Sequence, residues 1–384
     1  MKIEAVDAFY LRMPDVKCIG DGSQDALLIR VSAGGFTGWG ECEASPLPTI
    51  AALIAPISHS ACQPVLNSVL GATIDGPASI RAVHRAVHTN CFDLLQADHA
   101  LSGIDIALWD LLGKVEGAPV WSFFSSVNMP KTAYASQLFG ATPEDTFAAA
   151  KEVAKLGYLA AKFGWGPIGT GSVEDDRHQV AAAREGLGLD RTLLVDTGCI
   201  FDHDLEMAAQ RIGILEEFQV GWWEEPFATG ALAEYSTLSE RTPVSLAAGE
   251  GAHNADQAKH LIDYGGVTTI QIDTGRVGGI TAARQVAEYA RSKNVHYVNH
   301  TFTSNLALSA SLQPYPEQIG LAEVPTQTSE LARAIGGDTW SIDAEGAVAA
   351  PAEPGLGIIP SLEALQSYRQ AIEIRWNGKP IWTS

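Results

Sequence analysis

The chain has 384 residues, 46% hydrophobic and 18% charged, with 45 acidic and 25 basic side chains and a formal net charge of -20. This fits a globular protein with a sizeable core, either one large domain plus a smaller one or an α/β barrel with additions, and excludes disorder. The acidic balance, with no stripe of Lys and Arg, argues against nucleic acid as a partner.

The opening MKIEAVDAFYLRMP alternates like a strand and lacks a signal-type apolar segment. No apolar run reaches the roughly 18 residues that a membrane span needs, so the cytosol is the expected location. Residues 1–40 read as β-rich, with Gly34-Gly35 turning a hairpin and RMPDVKCIGDGSQ forming a loop between the first two strands. Residues 50–125 are helical by their three- and four-residue apolar steps, as in ASIRAVHRAVHTNCFDLL, and GAPVW ends that region. The cysteines (Cys18, Cys42, Cys62, Cys91 and Cys199) have no close paired spacing, so reduced, buried thiols are expected.

From about residue 131 the pattern changes to short apolar runs alternating with helical stretches. The strand candidates are 132–138, 158–163, 192–196, 221–224, 244–248, 268–273, 296–299 and 320–323. Eight such units predict a closed (β/α)8 TIM barrel rather than an open doubly wound sheet. The tail from Trp340 onward is turn-rich and is expected to return to the N-terminal region. That divides the chain into a capping region over 1–125, a barrel over 126–340 and a returning segment over 341–384.

In such a barrel the C-terminal strand ends face the active site. Four runs close on acids: LLVDTG at Asp196, GWWEEP at Glu224, LAAGEG at Glu250 and IQIDTG at Asp273, each about one βα unit from the next. An acid at a strand end is commonly just solvated, but three on consecutive strands repel one another unless a cation offsets them. Hard oxygen ligands suit Mg²⁺. Strand alternation turns Glu225 away from Glu224, toward the wall or an ion pair. His300, in VNHTFTSN, ends the strand after Asp273, and a lone histidine there would ordinarily be packing. Beside Asp273, which can accept its second N–H, it is a candidate base.

The ordered set GFTGWGECEASP (35–46), SGIDIALWDLLGK (102–114), LLVDTG, WWEEP, GEG, IQIDTGRVGGIT and PGLG (354–357) resembles the enolase superfamily. The likeness is to its mandelate racemase-like acid-sugar dehydratases. It covers nearly the whole chain and implies a modified, (β/α)7β-like barrel, its eighth helix commonly replaced. An α+β capping domain is built from the N-terminal region and the C-terminal tail. It implies Asp196, Glu224 and Glu250 as Mg²⁺ ligands, His300 and Asp273 as a base dyad, Lys162 as a substrate-carboxylate and charge-stabilising residue, and Glu323 as a hydrogen-bonding acid beside that carboxylate. It also implies closing segments in the loop between the first two strands and after Glu43, and a homo-oligomer, in this group commonly an octamer.

One departure decides between reactions. Racemase-type relatives end the second barrel strand in Lys-x-Lys, whereas here AAKFGWGPIG keeps Lys162 and has Gly164 in the second position. A racemase needs a base on each face of the α-carbon, and Gly164 cannot be one. The expectation is therefore Mg²⁺-dependent β-elimination of water from an aldonate or aldarate, giving a 2-keto-3-deoxy acid, with a racemase or epimerase as the alternative. Thr197-Gly198 stands where the group usually has an Asn, altering substrate contacts, and Trp165 is a candidate pocket wall. A metal-binding barrel without turnover is disfavoured, since neither Asp273 nor His300 is needed to hold a cation. The absence of a strand-linked GxGxxG argues against a dinucleotide.

Overall fold

In the computed structural model, which describes residues 1–337 and 342–383, the N-terminal region begins as a three-stranded antiparallel sheet in the order β1 (Ile3–Arg12), β2 (Asp25–Ala33), β3 (Phe36–Cys42). Gly34 and Gly35, at φ 57° and 81°, turn β2 into β3 in the left-handed conformation that two-residue hairpins need. The β1–β2 connection is the expected loop, closed by a 3-10 turn at Gly22–Gln24. Four helices follow: α1 (Pro46–Ile54), α2 (Leu66–Val69), α3 (Pro77–Asn90) and α4 (Ala97–Glu116). His99 through Gly113 of α4 are all buried, because β3 covers one side and the barrel another.

The barrel strands are β4 (Lys131–Leu138), β5 (Ala160–Gly164), β6 (Thr192–Asp196), β7 (Val220–Glu224), β8 (Ser245–Ala248), β9 (Thr269–Asp273), β10 (His296–His300) and β11 (Leu321–Pro325). They run parallel in chain order, with β11 returning to pair with β4. Between β10 and β11 a side chain replaces the backbone ladder. Asn299 donates from Nδ2 to the Glu323 carbonyl at 3.1 Å and accepts the Glu323 N–H on Oδ1 at 3.0 Å. The intervening helices are α5 (Pro143–Lys155), α6 (Val173–Leu187), α7 (Leu205–Ala209), α8 (Ile212–Glu217), α9 (Leu232–Arg241), α10 (Ala255–Tyr264), α11 (Gly279–Ser292) and α12 (Asn305–Leu312). The architecture is a modified TIM barrel with α+β capping.

The eighth position is the modified one. Among the described residues the one α-helix after β11 is the seven-residue α13 (Glu330–Gly336), and Leu331 and Ile335 pack into the core of the N-terminal sheet. Leu356, Ile358 and Leu365 of the tail join that same core, so the tail does return to the cap. The expected boundary at 340/341 lies outside the described residues. β12 (Ala347–Val348) adds to β4, and β13 (Glu373–Trp376) pairs with β14 (Lys379–Thr383) as a terminal hairpin. Among the described residues no helix is long and apolar enough to cross a membrane. The cysteines are unpaired, but only Cys42 and Cys91 are buried, and Cys18 is exposed on the β1–β2 loop, against the expectation.

Inside the barrel, Tyr134, Ala160, Leu194, Trp222, Ala247 and Val298 form a small plug. Strand alternation then dictates what stands one layer above it. Two residues further along each strand come Lys162, Asp196, Glu224 and His300, all pointing into the mouth over an apolar floor.

Candidate active site

Asp196, Glu224 and Glu250 present carboxylate oxygens that all lie within 4.8 Å of one another, a group able to hold a metal ion. The first two end β6 and β7 as expected. Glu250 does not end a strand: β8 stops at Ala248. Since Ala247 faces the plug, plain alternation would turn residue 250 outward. Gly249, at φ +128°, breaks the alternation and swings Glu250 into the mouth. Glu225 holds that turn, its Oε1 accepting the N–H groups of Gly249 and Gly251, both at 3.2 Å, and its Oε2 accepting the Cys199 thiol. Glu225 is thus the brace of the third acid rather than a member of the cluster.

Lys162 sits under the acids, with Nζ 2.5 Å from Glu224, 3.0 Å from Glu323 and 3.7 Å from Asp196. Trp222 adds an indole donor to the second Glu224 oxygen at 3.0 Å. Burial pushes the Asp196 carboxyl up to about 7 and that of Glu224 well above its ordinary range, despite Lys162 pulling both down. Burial would do the same to Glu250, but the adjacent His300 outweighs it and lowers that carboxyl strongly. Desolvation alone would strip the proton from Lys162, yet Glu224 and Glu323 hold it firmly charged.

The parallel register places His300 directly opposite Asp273. Nδ1 of the ring is 2.9 Å from Asp273 Oδ2, while Nε2 faces the acids, 2.9 Å from Glu250 Oε2 and 4.0 Å from Glu323 Oε2. Asp273 is itself fixed by the Gly275 N–H at 2.8 Å, and Glu323 by the Thr301 N–H at 2.8 Å. Burial favours a neutral ring, but Glu250 and Glu323 outweigh it, and the pKa of His300 stands well above that of a free histidine. All seven residues singled out in the sequence therefore converge at one mouth.

The donor set fits a hard divalent cation. Glu250 Oε2 and Glu323 Oε1 are buried but accept no directed hydrogen bond, even though His300 Nε2 and Lys162 Nζ stand 2.9 and 3.0 Å away. The contacts are close enough for charge attraction but off the hydrogen-bond direction, which leaves oxygen lone pairs turned to the mouth.

Gly164 has a structural reason to be glycine. A Cβ built there would lie 2.6 Å from Asp196 Oδ2 and 2.9 Å from its Cβ, so any side chain would displace the first acid. Trp165 follows at φ 55°, and Cβ atoms built on Gly20 and Gly198 would meet its ring at 2.9 and 2.8 Å. Its indole therefore bridges the β1–β2 loop and the turn after β6. The sequence reading missed Glu43 and Arg276 as pocket residues. Arg276 donates from Nε and Nη2 to Glu43 Oε2 at 2.8 and 2.5 Å, and from Nη1 to the Glu250 carbonyl at 2.9 Å. An acid just past β3 and an Arg just after β9 were the only signals, and no spacing rule links them.

An acid-lined barrel mouth with a histidine–aspartate pair, closed by a cap, defines a metal-binding barrel enzyme of enolase type. Residues 145–364 match the enolase C-terminal domain-like family, and residues 11–124 match the N-terminal domain of the mandelate racemase / muconate lactonizing enzyme family. The chain belongs to the enolase superfamily, in its mandelate racemase / muconate lactonizing enzyme group. A crystal structure from Rhodobacter sphaeroides, described as a predicted mandelate racemase, is 51% identical with a TM-score of 0.94, covering 100% of this chain and 99% of that one. The chain is also 28% identical to a 3,6-anhydro-alpha-L-galactonate cycloisomerase of Streptomyces coelicolor, over 70% of this chain and 72% of the relative. To a D-galactonate dehydratase of Cronobacter sakazakii it is 30% identical over 56% of each.

Proposed function

We propose that this enzyme removes the proton α to the carboxylate of an acid sugar and eliminates the β-hydroxyl as water, giving a 2-keto-3-deoxy acid. The observation that carries this reading is one-sided. His300 Nε2 faces the acid cluster with Nδ1 tied to Asp273 at 2.9 Å, while the position that would hold a second base is Gly164, sterically closed to a side chain by Asp196. Abstraction without a return base on the other face favours elimination over racemisation. Curated relatives named for galactonate and anhydrogalactonate chemistry support the substrate class.

Asp196, Glu224 and Glu250 would hold Mg²⁺, which supplies positive charge beside the substrate carboxylate as negative charge develops on it. Lys162 would hold the same carboxylate by a charge-assisted hydrogen bond, with Glu323, 3.0 Å from its Nζ, orienting that ammonium. With the Glu250 charge that keeps the ring protonated offset by the cation, neutral His300 would take the C2 proton on Nε2, and Asp273 would hold the Nδ1–H and stabilise the charged ring. The C2–H electron pair becomes the C2–C3 π bond, the C3–O bond breaks, and the proton on Nε2 goes to the departing oxygen, releasing water. The enol then tautomerises to the 2-keto acid.

The test is NMR of aldonate and aldarate diastereomers with Mg²⁺ in D₂O. A 2-keto-3-deoxy product is expected, with the rate falling about 10³-fold in His300→Asn. Deuterium at C2 with inverted configuration and no loss of water would instead establish an epimerase.

A further inference from the structure

Resting on the acid-sugar reading of the site, we infer that the pocket is built for substrates with a single carboxylate and discriminates against aldarates, because its cap side already carries more negative charge than positive. The cavity above the acids holds about 260 Å³. Its floor, lined by Asp196, Glu250, Lys162 and His300, is where the reacting carboxylate belongs. A second carboxylate at the far end of an aldarate would have to lie toward the cap wall.

That wall offers no uncompensated cation. Lys162, Arg276 and His300 are the only basic side chains among the described residues lining the cavity, and the first and last belong to the floor. Arg276 is spent: two of its nitrogens bond Glu43 Oε2, and a third bonds the Glu250 carbonyl. Glu43 is buried and fixed from behind, its N–H donating to the Gly275 carbonyl at 3.1 Å and its carbonyl accepting from the His99 ring. Asp21 lies on the same wall, with Oδ1 accepting the Ser23 N–H at 2.9 Å and Oδ2 accepting Gln24 Nε2 at 2.5 Å. These are neutral donors, which hold the carboxylate without cancelling its charge. Two acids against one guanidinium leave the wall one charge negative.

Such a wall repels a second carboxylate across a partly desolvated gap, where charge is poorly screened. It suits hydroxyls, which donate to carboxylate oxygens, and the indole face of Trp165 offers an apolar side for the carbon chain. The charge pattern thus rejects one class and reads the other, a case of specificity by an unfavourable contact.

Binding without turnover tests this. In Mg²⁺-loaded His300→Asn, titration calorimetry with six-carbon aldonates and the aldarates of matching configuration is expected to show at least one aldonate binding ten or more times tighter than its aldarate. Adding Glu43→Gln leaves Arg276 uncompensated and is expected to narrow that ratio tenfold. Asp21→Asn, which does not touch the Arg276 pair, is expected to narrow it in the same direction. Aldarates binding as tightly as aldonates would overturn the inference while leaving the dehydration reading intact. An aldonate preference that ignores both substitutions would overturn the charge as its cause. Epimerised aldonate from the unsubstituted enzyme would sink the dehydration reading alone, and no binding by either class would sink both.

Discussion

On its barrel side the pocket is lined by groups that come off strand ends, are almost wholly buried and brace one another. Lys162 bridges Glu224 and Glu323, and His300 joins Asp273 to Glu250. On its cap side the lining comes from residues 19–22 of a connecting loop and from Glu43 just past β3. Asp21 there is tied only to its near neighbours Ser23 and Gln24, and Gly20 reaches the barrel through Trp165. A cross-braced wall fixes atoms to the tolerance that proton transfer needs, whereas a loop wall can change its reading of the substrate without disturbing the reaction. Substitutions on the two sides should therefore separate, the barrel side in cation binding and kcat, the cap side in KM.

The sharpest way to break this contrast is Gly164→Ala. Its added methyl would enter the space of Asp196, so the variant should fold but bind Mg²⁺ about 10–100-fold more weakly, as when the support of a ligand is removed. Titration with Mg²⁺ followed by calorimetry reads this directly. Unchanged affinity would mean that Asp196 has freedom the strand register does not suggest. A smaller effect is expected across the pocket. Gly20→Ala sets a Cβ 2.9 Å from the Trp165 ring, which is 43% exposed and able to shift. KM for the best acid sugar should rise up to about tenfold, roughly 1.4 kcal/mol, with kcat within twofold. A kcat loss as large as the KM change would show that the cap loop also positions the reacting carbon.

Much of the barrel was legible because period-two alternation and the βα repeat are written directly in the chain. The pairing of Asp273 with His300 follows from two consecutive strands ending in register. Glu250 was found by its spacing, but for an incomplete reason: it lies beyond its strand and points inward only because Gly249 turns and Glu225 accepts two N–H groups. The Asn299 closure, the Glu43–Arg276 pair and the steric demand behind Gly164 were not legible. Each depends on contacts between segments 24 or more residues apart. Gly164 was read as a missing base, and the structure adds that it is also a required gap. The cap was readable as an α+β region, but not which of its residues reach the mouth, since loop paths leave no periodic trace.

A further effect, read in thermal stability rather than in turnover, lies in the seam behind the two walls. Glu41 of β3 is 1% exposed, its Oε2 accepts the Ser304 hydroxyl at the start of α12, and its Oε1 has no hydrogen-bond partner. Burial, reinforced by Asp273 and opposed by Ser304, pushes its carboxyl up to about 7 from an ordinary 4.5. An acid whose folded-state pKa is raised holds its proton more tightly folded than unfolded. Its contribution is complete below about 4.5 and is lost as pH rises through about 7, amounting to roughly 3 kcal/mol for that interval. Glu41→Gln keeps the shape but cannot ionise, so its melting temperature should fall less between pH 5 and pH 8 than that of the unsubstituted protein, by a few degrees. Both should be scanned by calorimetry at one fixed Mg²⁺ concentration. Parallel pH profiles would mean that Glu41 is ionised and compensated in the seam. The cap would then be held to the barrel across a charged contact rather than a neutral one.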